Sequence, residues 1–196
     1  MSIYVSIDTV SILDITKKVK KMVTKALYNL SLDKRNTIRD SLVHEFSTYS
    51  LNNAHITRIT KYANVSRSSF YTYFEDIYDA YCWILEDYLV EFQNMDELNQ
   101  ISATLVFLEN LTDSVDYSFW RLYYTINKSL LYSHYKSADV TSKAISHFKN
   151  PSMENLSEWA FRITLHALIQ EYFLYPKKKD EIIINIKKLP SIINKH

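Results

Sequence analysis

Seven polar side chains, Ser66, Arg67, Ser68, Ser69, Tyr71, Thr72 and Tyr73, fall within eight consecutive positions of a 196-residue chain, with Val65, Phe70 and Phe74 set around and among them. A guanidinium, hydroxyls and phenols at that density suit hydrogen bonding to phosphate oxygens and base edges. A solvated loop has no use for the aromatic residues, and a core helix has none for the serines and the arginine. The segment is therefore expected to be pinned to a core by Val65, Phe70 and Phe74, with Arg67, Ser68, Tyr71, Thr72 and Tyr73 reaching outward to read and grip DNA. Alternate positions on a helix diverge, so one of the two tyrosines, Tyr71 or Tyr73, is expected to point at a phosphate. Thr57, Arg58 and Lys61 just upstream, together with Ser66 and Ser69, complete the candidate surface.

Other chemistries lack their residues. The chain contains no glycine, so the phosphate-cradling loops and the nucleophile elbow are missing. Six histidines show neither H-x-x-x-H nor H-E-x-x-H spacing, and no metal or other cofactor is expected. The single cysteine, Cys82, has no partner for an internal disulfide and reads as a small buried hydrophobe. No apolar run reaches the length of a membrane span. The N-terminus has no basic start and carries Asp8 and Asp14, so it makes a poor signal peptide, and a cytoplasmic location is the expectation.

Charge is strongly segregated. From 17 to 74 there are eleven Lys and Arg against three carboxylates, and from 75 to 120 eleven carboxylates with no Lys or Arg. The first part would attract a polyanion and the second would repel one.

The elements that must position these residues read as helices throughout. Apolar spacing predicts a helix over 10–30, with Lys17, Lys21 and Lys25 on one polar stripe, then helices over 35–49 and 56–63. Residues 64–66 form a turn in which Asn64 supplies the backbone freedom glycine would normally give. Ser66 caps a short helix from Arg67 to about Phe74. A long helix follows Glu75 and Asp76 to about Gln93, and further helices are predicted over 97–112, 116–135, 138–149, 153–175 and 178–188. The fold class is all-α: a three-helix helix-turn-helix head over 34–80, preceded by an extension over 1–33, and a helical bundle over 81–196. The helix over 153–175 is apolar on more than one face; Trp159, Ile163, Leu168 and Tyr172 on it are expected at a homodimer interface built with the last helix.

The segments RNTIRDSLVHEF (35–46) and ITRITKYANVSRSSFYTYF (56–74) resemble the TetR family of bacterial transcriptional regulators. Ile59, Thr60, Ala63, Asn64, Val65, Ser66, Phe70, Tyr71, Tyr73 and Phe74 occupy the family's pattern in register. Asn64 stands in place of its turn glycine, and Ile77 in place of a frequent phosphate-touching lysine. The resemblance implies a homodimeric repressor that binds a palindromic operator in the nucleoid. It also implies release by a small apolar or aromatic effector held among the middle helices, with Trp83, Phe107, Phe119, Trp120, Tyr123 and Tyr124 as pocket residues. An enzyme on a helical bundle is disfavoured by the missing motifs. A helical adaptor or ligand-binding protein with a degenerate DNA-binding head is the alternative.

Overall fold

The structure is a computed structural model describing residues 25–89, 97–111, 115–135 and 153–193; the side chains of 97–98, 153–156, 158–159 and 192–193 lie outside that description. Of the helix predicted over 10–30, only α1 (Lys25–Tyr28) is described, with Leu27 fully buried; Lys17 and Lys21 lie outside the described residues, as does the helix predicted over 138–149.

The described residues are all-α. Ser31 caps α2 (Leu32–Thr48), its hydroxyl accepting from the Lys34 N–H at 3.4 Å, so this helix starts three residues earlier than its apolar spacing suggests. Ile38, Leu42, Val43 and Phe46 form its buried stripe. After a connector come α3 (Ile56–Tyr62), α4 (Arg67–Tyr73) and α5 (Ile77–Leu89). Asp76 begins α5: its Oδ1 accepts from the N–H groups of Tyr78 at 2.7 Å and Asp79 at 2.9 Å, satisfying donors that the first turn leaves free.

The rest comprises α6 (Glu97–Asn110), α7 (Val115–Leu122), a π-turn (Tyr123–Asn127), α8 (Lys128–His134), α9 (Met153–Leu174), a 3-10 turn (Pro176–Lys178) and α10 (Lys179–Ile193). The single helix predicted over 116–135 is thus interrupted by one wide turn. The last helix does not stop ahead of Pro190 but runs through it, forgoing one backbone bond near its end.

One apolar core runs through the molecule, from Leu27 to Leu189. Helix α2 is central to it. It packs against α3 and α5 on the side of the short helices and lies along α7 on the other side. Helices α9 and α10 pack together; α9 also meets α7 and the π-turn, and α10 meets α6. Helix α1 rests on α4, so part of the N-terminal extension supports the very helix that carries the polar cluster.

Candidate nucleic-acid interface

The turn between α3 and α4 has the backbone its sequence demands. Asn64 is the non-glycine residue with positive φ among the described residues, at 51°. Its N–H donates to the Lys61 carbonyl at 3.4 Å, and the Val65 N–H donates to the Thr60 carbonyl at 3.0 Å. Those two bonds close the left-handed ending that satisfies the last carbonyls of a helix. Two residues later Ser66 caps α4, its Oγ accepting from the Ser69 N–H at 3.0 Å. The same oxygen lies 2.7 Å from the Ser68 hydroxyl and 2.8 Å from that of Ser69.

Helix α4 is fixed from beneath. Phe70 and Phe74 are fully buried with ring centroids 5.2 Å apart, and Val65 is half-buried against the same core. Tyr73 corrects the expectation that it reaches outward: only 7% of it is exposed. Positions 70, 73 and 74 share one helical face, so the face that Phe70 and Phe74 bury takes Tyr73 with it. Tyr71 is 48% exposed. On the bare face Arg67 donates to the Tyr71 hydroxyl at 3.4 Å, one turn along the helix, and its guanidinium lies 5.9 Å from that ring. Thr72 donates to the Ser68 carbonyl at 3.1 Å. Thr57 and Lys61 of α3 are exposed, as are Ser68 and Thr72. Ser69 is half-buried and takes part in the cap.

Arg58 is also corrected. Its Nε–H donates to both oxygens of Glu45 at 3.0 Å, and one terminal nitrogen donates to Glu45 Oε1 at 2.6 Å and to the Asn53 carbonyl at 2.7 Å. Its guanidinium stacks 3.9 Å from the Tyr49 ring centroid. The Glu45 hydrogen bonds hold its pKa above the usual value. Glu45 is 2% exposed and also accepts from the His55 N–H at 2.7 Å. Arg58 thus neutralises a buried carboxylate that fastens the start of α3 to α2. A partner thirteen residues upstream on another helix leaves no local sequence signal.

Ile77 is half-buried against the core. Nearby, Asp79 is buried and accepts from the Tyr135 hydroxyl at 2.9 Å and the Glu75 N–H at 3.1 Å; burial pushes its pKa up. His134 Nε2 sits 3.1 Å from Asp76 Oδ2, and its ring stacks on Tyr78 at 3.8 Å. Two adjacent residues at the end of α8 therefore hold the first turn of α5. The Asp76-x-x-Asp79 spacing was a readable capping signal; the α8 partners were not. Cys82 is fully buried, and burial raises its thiol pKa far beyond reactive range.

Five of the six expected pocket residues meet in one aromatic cluster. Trp120 is 4% exposed, with ring centroids of Phe107 at 5.6 Å, Phe119 at 5.6 Å, Tyr123 at 5.5 Å and Tyr124 at 6.1 Å. Its indole N–H is buried and has no hydrogen-bond partner among the described residues. Tyr124 stacks on Phe173 of α9 at 5.4 Å, and its hydroxyl lies 3.5 Å from His166 Nδ1. Trp83 stands apart, half-buried with its ring 5.7 Å from Phe74.

Of the residues expected between protomers, Ile163 is exposed and Leu168 half-buried, while the Trp159 side chain lies outside the description. Tyr172 is corrected: it is buried within its own chain, donating to the Leu108 carbonyl of α6 at 2.9 Å. The exposed face of α9 instead carries Ala160, Ile163, Ala167 and Leu174 at helical spacing, with Ile184 exposed on α10. Among the described residues no His, Cys, Asp and Glu grouping suits a metal ion, and no helix is long and apolar enough to cross a membrane.

No family model matches the chain, and no curated protein matches it. A solved structure similar to it is a TetR family transcriptional regulator from Chloroflexus aurantiacus J-10-FL, at 20% identity and a TM-score of 0.34, covering 88% of this chain and 77% of that one.

Proposed function

We propose that the chain is a DNA-binding transcriptional regulator, a homodimer that represses from a palindromic operator and is released by a small effector. The observation that supports this reading is the pair of short helices joined through Asn64, with the apolar side of α4 buried and Arg67, Ser68, Tyr71 and Thr72 left bare. A seven-residue helix pinned that way fits the major groove, and Thr57 and Lys61 would flank it. Two copies would have to stand about 34–36 Å apart to reach successive grooves. The outward stripe Ala160–Ile163–Ala167–Leu174 with Ile184 would pair the copies through α9 and α10. The effector site would be the Trp120 cluster, where the unpartnered indole N–H favours a flat apolar or aromatic molecule carrying a hydrogen-bond acceptor.

One observation favours the adaptor reading. With Arg58 tied to Glu45, Lys61 and Arg67 are the cations remaining between 55 and 74. Selection from a random duplex library with the full chain separates the two. The regulator reading expects enrichment of an inverted repeat with half-sites about one helical turn apart. Recovery of no sequence over background at low salt, from a folded chain, supports the adaptor.

A further inference from the structure

Asn127 is the fully buried amide side chain of the π-turn, 0% exposed, and both ends of that amide are engaged. Its Oδ1 accepts from the Leu51 N–H at 2.9 Å, and its Nδ2 donates to the Tyr81 hydroxyl at 3.4 Å. Leu51 is buried in the connector between α2 and α3, the strap that leads into the helix-turn-helix unit. Tyr81 lies on α5, edge-on to Phe46 of α2 at 4.9 Å and stacked on Phe119 of α7 at 5.2 Å. One side chain thus joins the bundle to the strap in front of α3 and to the helix behind α4.

An apolar residue of similar size would fill the same space and avoid burying an amide, so packing alone does not call for asparagine here. The wide turn explains its aim. Each residue of an α-helix advances the side-chain direction by about 100°, so the extra residue that makes a π-turn redirects everything after it. Such turns are rare and gather at functional positions. The first residues of this turn, Tyr123 and Tyr124, belong to the Trp120 cluster; its last residue is Asn127.

We propose that Asn127 is a positioning residue for DNA binding: its amide, aimed by the π-turn, holds the Leu51 strap and thereby sets where α3 and α4 stand relative to the bundle. The role rests on the DNA-binding reading above. It also places the strap and the Trp120 cluster on one turn of helix.

Three variants test it. Asn127→Leu removes both bonds. Asn127→Asp keeps an acceptor for the Leu51 N–H, and the Tyr81 hydroxyl can donate to it. Tyr81→Phe removes only the second bond. Amide exchange at Leu51 is read without DNA, and affinity is read on the duplex selected by the wild-type chain, well below the melting temperature of each variant. For Asn127→Leu the expected result is Leu51 exchange faster by about tenfold or more and a fall in affinity of similar size. Asn127→Asp should recover both readouts, and Tyr81→Phe should match wild type in both. Wild-type affinity in a folded Asn127→Leu chain whose Leu51 amide has lost protection would reduce Asn127 to a packing residue and overturn the proposal. Unchanged Leu51 protection would overturn it as well. Should Asn127→Leu not fold, Asn127→Ser, too short to reach Leu51, is judged by the same two outcomes. A wild-type chain that binds no duplex, while Leu51 loses protection in the variant, refutes the DNA-binding reading and not the strap.

Discussion

The turn at Asn64 offers a clean test, because its side chain is exposed and the φ of 51° is what distinguishes the position. Left-handed backbone disfavours residues with a Cβ by roughly 1–2 kcal/mol, with asparagine recovering part of that through its short polar side chain. Glycine has no such penalty, but it frees the unfolded chain by about 0.4–1 kcal/mol. Asn64→Gly should therefore be close to neutral. Asn64→Ala should lose about 1 kcal/mol. Asn64→Val should lose about 2 kcal/mol or more, since a β-branched residue is an outlier there. For a chain of this length 1 kcal/mol moves Tm by about 2–4 °C, so Val should melt about 4–8 °C below Gly. Thermal melts followed at 222 nm, backed by urea titrations with a common slope, give the comparison. If Val and Gly melted together, the left-handed ending of α3, with its Lys61 and Thr60 bonds, would be refuted.

Further expectations follow from the same contacts. Arg67→Ala and Arg58→Ala should part company: the first should lose DNA affinity at unchanged Tm, the second should lower Tm by leaving buried Glu45 without its cation. Tyr172→Phe should cost about 0.5–1.5 kcal/mol in urea unfolding through the lost bond to Leu108, and leave the dimerisation constant unchanged in sedimentation equilibrium. Asp79 has a folded pKa raised by burial, so the folded chain binds its proton more readily than the unfolded chain. Its contribution is therefore fully present below the unfolded pKa and is lost as pH rises through the folded one. The stability of wild type relative to Asp79→Asn should accordingly climb as pH is lowered across that window; a difference that is flat with pH would contradict the assignment.

The helix-turn-helix geometry was legible because its signals are local. A serine three residues ahead of the amide it caps, a left-handed asparagine and an aromatic pair at i, i+4 all lie within a dozen positions. The burial of Tyr73 was legible too, since 70, 73 and 74 make one face. The π-turn was not, because the apolar pattern from 116 to 135 fits an unbroken helix and one extra residue leaves no mark on it. Arg58 and Trp83 were misplaced for a different reason. Glu45 and Phe74 decide where they go, and both are brought near by packing between helices. Tyr172 likewise looked like one more apolar residue on α9 until the Leu108 carbonyl gave its hydroxyl a place inside the chain.

The most direct measurement is the salt dependence of binding to the selected duplex by the wild-type chain and by Arg67→Ala. Each cation that neutralises a phosphate contributes about 0.9 to the slope of log affinity against log salt, and a bidentate contact to guanine contributes about 1–3 kcal/mol of discrimination. Wild type should show a clear negative slope. Arg67→Ala, with unchanged helicity and Tm, should either flatten that slope by about one unit or lose preference at one base pair in each half-site. Superimposable titrations and sequence preferences for the two chains would contradict it, because α4 would then carry its bare face for something other than DNA.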